Sequence, residues 1–219
     1  MNDSASEMKH PDRVLWGVGT SRALRAHWAL HELALDYRTQ AVRTRTGETE
    51  TETFTRLNPR QKIPVLCDGD VTVAESAAIV TYLAERYGEP ETLFMPATSA
   101  ERARYFEWMS FVCMELDATS LYVLRRHAYL PAIYGDAPVA NEAAKAYFAR
   151  MIDSAARLAS GDQAYLLGER FSGVDILMTT CLDWALEYGL ALPDRFSSYR
   201  TRIIARPAYL RAVESNLAS

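Results

Sequence analysis

The chain contains 219 residues, carries a formal net charge of −4 and is 49% apolar, with a pI of about 5.6. This length is enough for one large domain or two modest domains, each with its own core. The mildly acidic balance leaves no basic face for nucleic acid, and no stretch reaches the roughly 18 uninterrupted apolar residues of a membrane span.

The N-terminal segment and the cysteines indicate the compartment. Residues 1–12 are polar and lack the apolar region of a secretory signal, so we expect a flexible N-terminal extension on a cytoplasmic protein. The three cysteines, Cys67, Cys113 and Cys181, are odd in number and far apart. This pattern is typical of reduced core residues and not of a disulfide framework.

Residues 13–88 predict an α/β domain. The apolar residues 14–18 indicate a buried strand, and a helix follows Gly19. One face of that helix is formed by Leu24, Trp28, His31 and Leu35. Residues 36–42 predict a second strand, and residues 43–56 predict a polar loop with a short helix.

A hairpin followed by a helix completes this domain. Asp68-Gly69 is a turn signal between strands predicted at residues 64–67 and Val71–Ala74. A helix is predicted from Ser76, and Gly88 stands where a glycine commonly ends a helix.

The remainder of the chain predicts an all-helical domain. Residues 89–97 contain two prolines and indicate a linker, after which residues 98–219 show no convincing strand. Helical periodicity covers residues 101–126 and 140–160. Further helices are indicated by a capping box at Ser172 and Asp175, with Gly189 ending that helix, and by Pro207 in a first turn.

Five features in order resemble one family over residues 13–213. They are TSRALRAHWALHELALDY, NPRQKIPVL, the AES step, the proline-containing linker and GERFSGVDI. Together they resemble the cytosolic glutathione S-transferases, in particular bacterial-type members with a serine or threonine in the active site. The resemblance implies a thioredoxin-like N-terminal domain, an all-α C-terminal domain, glutathione as co-substrate, a homodimer and a role in detoxification.

The expected glutathione-binding residues lie between Lys62 and Ser76. A serine at a helix N-terminus can hold a carboxylate through its backbone N–H, its hydroxyl and the helix dipole. By resemblance, Ser76 binds the γ-glutamyl carboxylate and Glu75 helps to orient that end. Ile63-Pro64 resembles the family's cis-proline step, which pairs with the cysteinyl backbone. Lys62 either binds the glycyl carboxylate or is a solvated surface lysine. Gln61 replaces a family glycine.

The group that activates the glutathione thiol is expected between the first strand and the first helix. A thiol of pKa near 8.5 is only a few per cent ionised at pH 7, so a hydroxyl donor at a positive helix end would help. Thr20 and Ser21 are both candidates, one as the catalytic hydroxyl and the other as the helix N-cap. A tyrosine mechanism is disfavoured because Trp16 stands at the corresponding strand position, and a cysteine mechanism because no cysteine is near.

Other charged residues near this segment have simpler interpretations. Arg22 could approach either substrate, and Arg43 and Arg45 could meet the glycyl end, although a solvated loop accounts for them as well. His27 and His31 are four residues apart, a spacing that can hold a metal on a helix. No third ligand is evident, so no metal site is expected.

The second-substrate pocket is expected along the long helix of residues 101–126. Its candidate residues, chosen by position and character, are Tyr105, Trp108, Phe111, Val112, Tyr122, Arg126 and His127.

The resulting prediction is a glutathione transferase whose thiolate attacks a hydrophobic electrophile. Two alternatives stay open. One is another glutathione-dependent reaction at the same site, namely dehalogenation, isomerisation or peroxide reduction. The other is a ligand-binding module without turnover.

Overall fold

The computed structural model describes residues 13–159 and 163–217. The expected flexible extension, residues 1–12, and the predicted end of a helix at Ser160 lie outside these residues. Within them, no helix combines the length and apolar character needed to cross a lipid bilayer.

A four-stranded mixed sheet forms the centre of the N-terminal domain. The strands are β1 (Arg13–Trp16), β2 (Arg38–Gln40), β3 (Val65–Asp68) and β4 (Val71–Ala74). Their order is β2-β1-β3-β4, with β1 parallel to β2 and antiparallel to β3, and with β3 antiparallel to β4. At the centre of the sheet, Leu15 faces Leu66 across the β1–β3 pair, and both are fully buried.

The first two strands are shorter than the sequence predicted. β1 ends at Trp16, because Gly17 adopts a φ of +122° and turns the chain out of the sheet. β2 covers only three of the seven residues predicted for it. The hairpin of β3 and β4 around Asp68-Gly69 is confirmed.

Helices cover the sheet and form the C-terminal half. In the N-terminal domain they are α1 (Ser21–Glu32), α2 (Glu52–Leu57) and α3 (Ser76–Tyr87), with a 3₁₀ turn at Glu48–Glu50. The C-terminal half contains α4 (Ser99–Phe111), α5 (Tyr122–Leu124), α6 (Pro131–Tyr134), α7 (Pro138–Leu158), α8 (Gly173–Glu187), α9 (Asp194–Ile204) and α10 (Pro207–Leu217). The predicted fold class, an α/β domain followed by a helical one, is confirmed for the described residues.

Helix α1 is buried on all sides from Ala23 to Leu30, although the sequence indicated a single apolar face. The reason is its position, since it packs against α3, α8 and α10. Trp28 is fully buried, with its ring 4.8 Å from that of Tyr209 on α10. The two halves therefore share one continuous core.

The long helix predicted at residues 101–126 widens in its second half. Val112–Leu121 and Arg125–Tyr129 are π-helical, on either side of α5. In the first π stretch, the Ser120 hydroxyl donates to the Glu115 carbonyl at 2.7 Å. In a π-helix the backbone hydrogen bonds join residues that are five positions apart, and not four as in an α-helix. The set of side chains that share one face of the helix therefore changes.

The capping box predicted at the start of α8 is confirmed. The Asp175 carboxylate is fully buried and accepts hydrogen bonds from the backbone and hydroxyl of Ser172, both at 2.9 Å. It also accepts from the Leu166 N–H at 2.9 Å and from the Tyr199 hydroxyl at 2.7 Å. This aspartate thus ties the helix start to the preceding loop and to α9.

Candidate active site

The loop after β1 takes its shape from two glycines. A Cβ on Gly17 would lie 2.6 Å from the Cβ of Ile63, so only glycine lets this loop pass so close to the Ile63-Pro64 step. Gly19 also has a positive φ, +74°. Its N–H donates to the backbone carbonyl of Asn216 at 2.8 Å and to the Asn216 side-chain Oδ1 at 3.0 Å.

The two candidate hydroxyls have different surroundings. Thr20 is the N-cap of α1, and its Oγ1 accepts from the Ala23 N–H at 3.0 Å. Ser21 is the first residue of the helix, and its hydroxyl has no hydrogen-bond partner within the described part of the chain. The capping bond uses Thr20 Oγ1 only as an acceptor, so both hydroxyls keep a proton that they can donate to a ligand. Only Ser21 is free of a role in capping the helix.

The Lys62–Pro64 segment forms the next wall of the site. The Ile63-Pro64 peptide bond is cis. The side chain of Asn58 donates to the Lys62 carbonyl at 2.8 Å. Gln61 adopts a φ of +54°, and its side-chain amide donates to the Thr55 hydroxyl at 3.1 Å. A non-glycine residue therefore adopts the left-handed conformation at the position where the family resemblance led us to expect glycine.

The Glu75-Ser76 step presents the N-terminus of α3. Glu75 has an unusual φ of +73°, and its side chain makes no capping bond to the helix. Instead it lies 3.5 Å from Arg60. Ser76 is buried, and its hydroxyl accepts from the Arg25 guanidinium at 3.3 Å. Strained backbone of this kind is concentrated at ligand sites.

A buried ionic cluster that the sequence did not reveal lies behind Ser76. Arg25 is 1% exposed and pairs at 2.9 Å with Asp117, which is 2% exposed and also pairs with Arg22 at 2.5 Å. Arg25 Nε donates to the Thr180 hydroxyl at 2.8 Å. Burial alone would raise the pKa of Asp117, but the two guanidiniums outweigh it and lower that pKa below its ordinary value. The available signal was the presence of Arg25 and Asp117 within two largely apolar helical segments.

These elements enclose a cavity of about 340 Å³. It brings together all seven residues predicted for catalysis and glutathione binding, namely Thr20, Ser21, Lys62, Ile63, Pro64, Glu75 and Ser76. Other lining residues from the N-terminal domain are Arg22, Thr44, Arg45, Thr49, Glu50, Asn58, Arg60 and Gln61, and those from the helical half are Tyr122, Arg125, Tyr134 and Trp184.

Most residues predicted for the second substrate lie elsewhere. Tyr105 and Val112 are fully buried in the core, and burial raises the pKa of Tyr105 to about 12. Trp108 and Phe111 line a separate cavity of about 440 Å³, which shares no residue with the first.

The last three candidates lie beyond the point where the helix widens. Arg126 stacks on Tyr122, 4.9 Å from the ring centre, and His127 bonds to the Gly135 carbonyl at 2.8 Å. Of the seven candidates, only Tyr122 lines the 340 Å³ cavity. Tyr105, Trp108 and Phe111 precede the π-helical turns, so their location follows from the packing of α4 against the core and the second cavity. The π-helical turns change the helical phase only for the candidates after Val112.

The paired histidines of α1 have structural partners. His27 Nε2 lies 3.2 Å from the Gly17 carbonyl and His27 Nδ1 lies 2.9 Å from the Tyr37 hydroxyl. Since a carbonyl can only accept, Nε2 carries the proton. His31 Nε2 lies 2.8 Å from the Ser215 hydroxyl. The two rings thus join α1 to the sheet and to α10.

All three cysteines are free thiols. Cys181 is buried beside Arg25, and burial raises its pKa to about 12. Its thiol is therefore unsuited to act as a nucleophile.

The fold and the cavity define a class of protein: a thioredoxin-like domain joined to a helical domain, with the N-terminus of α3 and the hydroxyls of Thr20 and Ser21 in one cleft. The family model for the glutathione S-transferase N-terminal domain matches residues 13–85, and the model for the C-terminal domain matches residues 111–207. The chain belongs to the cytosolic glutathione S-transferase family.

Several relatives show how far the similarity extends. The chain is 32% identical to glutathione S-transferase F14 of Arabidopsis thaliana, over 83% of this chain and 70% of that protein. It is 30% identical to a probable maleylacetoacetate isomerase of Vibrio cholerae, over 93% of this chain and 96% of that protein. A theta class glutathione S-transferase structure from Xanthomonas axonopodis pv. citri, with glutathione bound, superposes with a TM-score of 0.79 at 27% identity, covering 95% of this chain and 99% of that one.

Proposed function

We propose that the protein is a glutathione S-transferase that binds glutathione in the 340 Å³ cavity and stabilises its thiolate through the Ser21 hydroxyl. One observation carries the proposal. Ser21 lines the same cavity as Ile63-Pro64 and Ser76, and its hydroxyl is not engaged by any described residue, whereas Thr20 caps the helix.

Glutathione would be held at both ends by the N-terminal domain. The γ-glutamyl carboxylate fits the N-terminus of α3 at Ser76, where backbone N–H groups and the helix dipole favour an anion. Glu75 is placed to receive the α-ammonium group. Lys62 and Arg45, which line the cavity, suit the glycyl carboxylate.

The activation step requires a modest energy. A charge-assisted hydrogen bond from Ser21 to the sulfur contributes about 1.5–3 kcal/mol, which corresponds to a thiol pKa lower by roughly one to two units. The N-terminus of the 12-residue helix α1 adds about 0.3–1 kcal/mol. Together these effects bring a thiol of ordinary pKa close to neutrality.

The thiolate then attacks an electrophilic carbon of the co-substrate. A C–S bond forms, and the leaving group departs with the electron pair of the bond that breaks. Isomerisation, dehalogenation and peroxide reduction begin with the same thiolate. We propose transfer because most of the relatives carry the transferase name. Isomerisation is the second candidate, because the probable maleylacetoacetate isomerase matches 93% of the chain.

The test compares Ser21→Ala with Thr20→Asn, a control that keeps a capping oxygen at position 20 but removes its hydroxyl. The ultraviolet absorbance of bound thiolate is titrated against pH in each variant. We expect Ser21→Ala to raise the thiol pKa by about one to two units and to lower kcat/KM roughly 10- to 100-fold at pH 6.5. Thr20→Asn should change neither value by more than about threefold. An unaltered thiol pKa in Ser21→Ala contradicts the mechanism.

We also propose that the protein acts as a cytoplasmic homodimer, by family resemblance and because free thiols suit a reducing compartment. Light scattering at micromolar concentration tests the dimer, and a monomeric mass refutes it.

A further inference from the structure

One arginine of the helical half stands in the cavity without an acidic partner. Arg125 is half-buried and lines the cavity, and among residues 13–159 and 163–217 it makes no ion pair or hydrogen bond. Its guanidinium lies 6.0 Å from the ring centre of Trp184. Of the other cavity arginines, Arg22 pairs with Asp117 and Arg60 lies 3.5 Å from Glu75. Arg45 also has no acidic partner among the described residues, but it belongs to the N-terminal domain.

A half-buried guanidinium with five unused donors is suited to bind an anion. Glutathione does not need it under the function proposed above, on which this inference rests. Both carboxylates of the tripeptide already have donors on the N-terminal domain, one at Ser76 and the other at Lys62 and Arg45. Arg125 comes from the opposite half of the chain and is therefore left for the co-substrate.

The residues around Arg125 place a second requirement on the co-substrate. The other lining residues of the helical half are all aromatic: Tyr122, Tyr134 and Trp184. Arg126 packs against two of these rings, with its guanidinium 4.9 Å from the ring centre of Tyr122 and 5.1 Å from that of Tyr134. Aromatic walls favour planar, conjugated ligands through stacking and edge contacts.

We infer that the co-substrate is a planar, conjugated electrophile that carries an anionic group, such as a carboxylate, and that Arg125 selects it by binding that group. The electrophile is therefore amphipathic and not simply hydrophobic. Arg125 is a specificity-determining residue that acts on the co-substrate and leaves glutathione activation unchanged.

Two isosteric substrates test the inference: 4-chloro-3,5-dinitrobenzoate and 4-chloro-3,5-dinitrobenzamide. With either one, the thiolate sulfur forms a C–S bond at the carbon that bears chlorine, and chloride leaves with the C–Cl electron pair. The two glutathione conjugates serve in parallel as binding probes. The measured quantity is the ratio of carboxylate to amide in kcat/KM and in affinity. Comparing this ratio between variants cancels the different intrinsic reactivities of the two rings.

The decisive variant is Arg125→Gln, with Arg125→Lys to restore the charge and Arg150→Gln as a control. Arg150 is exposed on α7 and lines neither cavity, so its substitution removes one positive charge without touching the site. We expect Arg125→Gln to lower the ratio about tenfold or more, which is equivalent to about 1.4 kcal/mol. Arg125→Lys should keep most of the preference, and Arg150→Gln all of it.

Two results would overturn the inference. One is an unchanged ratio in Arg125→Gln, in turnover and in conjugate binding alike. The other is an equal loss with both substrates together with a raised KM for glutathione, which would assign Arg125 to the tripeptide. Failure of the proposed function looks different, since it appears as an unchanged thiol pKa in Ser21→Ala without any co-substrate present.

Discussion

At the scale of single residues, the site depends on side chains that do not themselves contact the reacting atoms. Arg25 links Ser76 on α3 to Asp117 in the π-helical stretch and to Thr180 on α8. Because Arg25 is almost fully buried, its charge is stable there only while Asp117 neutralises it. The serine expected to hold the γ-glutamyl carboxylate thus depends on a residue from the helical half.

We expect Asp117→Asn to be strongly destabilising. The change leaves two guanidiniums without a counter-charge, one of them buried, and the free energy of unfolding should fall by about 3–5 kcal/mol. Urea unfolding measures it, and the KM for glutathione should rise because Ser76 loses its support. Glu85→Gln is the matched control, since Glu85 pairs with Arg102 in a more exposed position and its loss should cost about 1 kcal/mol or less. Equal losses in the two variants would contradict this account.

Residues that carry a local motif could be predicted from the sequence, and residues paired at long range could not. Ile63-Pro64 and Glu75-Ser76 are recognisable because their chemistry resides in neighbouring positions. Arg25 and Asp117 are 92 positions apart, and periodicity says nothing about which helices meet. The sequence also did not show which of Thr20 and Ser21 caps the helix, because the backbone conformation at Thr20 decides this.

At the scale of elements, the widened helix and α10 decide what faces the cavity. The sequence correctly predicted that the region around residues 101–126 is helical. It could not predict the π-helical turns, which place Arg125 in the cavity and leave Arg126 outside its lining. Helix α10 contributes differently. Asn216, in its last turn, makes hydrogen bonds to the loop that carries the candidate hydroxyls.

We expect Asn216→Ala to reduce catalysis while the fold is retained. The substitution removes the side-chain bonds to the Gly19 N–H and to the Thr20 carbonyl, at 3.0 and 3.3 Å, although the backbone bond to Gly19 remains. If the loss of these bonds raises the activation free energy by about 1 kcal/mol, kcat/KM falls about fivefold. The thiol pKa of bound glutathione should rise as well. Leu210→Ala, an exposed position of the same helix, is the control. An unchanged kcat/KM and thiol pKa in Asn216→Ala would show that this helix does not position the loop.

At the scale of the whole molecule, α1 joins the two halves. Glu32 at its end receives a bidentate pair from Arg206, both contacts at 2.7 Å, and accepts from the Trp28 indole at 2.9 Å. His27 lies inside this junction and is fully buried. Burial lowers the pKa of His27 to about 4.

The free energy of unfolding should therefore depend on pH through His27. The histidine binds a proton less readily in the folded protein than in the unfolded chain, whose pKa is about 6.5. The contribution of neutral, buried His27 to the free energy of unfolding is fully present above pH 6.5 and is lost as the pH falls toward 4. Between pH 7.5 and 5 the loss should be about 2 kcal/mol. Urea unfolding at both pH values measures it, and His27→Gln should remove this part of the pH dependence. The same slope in wild type and His27→Gln would contradict the assignment.

The hydrogen bonds between Gly19 and Asn216 join positions 197 residues apart, and this separation has a consequence for synthesis on the ribosome. Domains generally fold as they emerge, beginning with the N-terminal one. A nascent chain that has released only the α/β domain already contains Ser21 and Ser76, but it has neither Asp117 to neutralise Arg25 nor Asn216 to hold the loop. We therefore expect ribosome-bound intermediates to bind glutathione weakly and to gain thiolate activation only once α10 has been made and has docked.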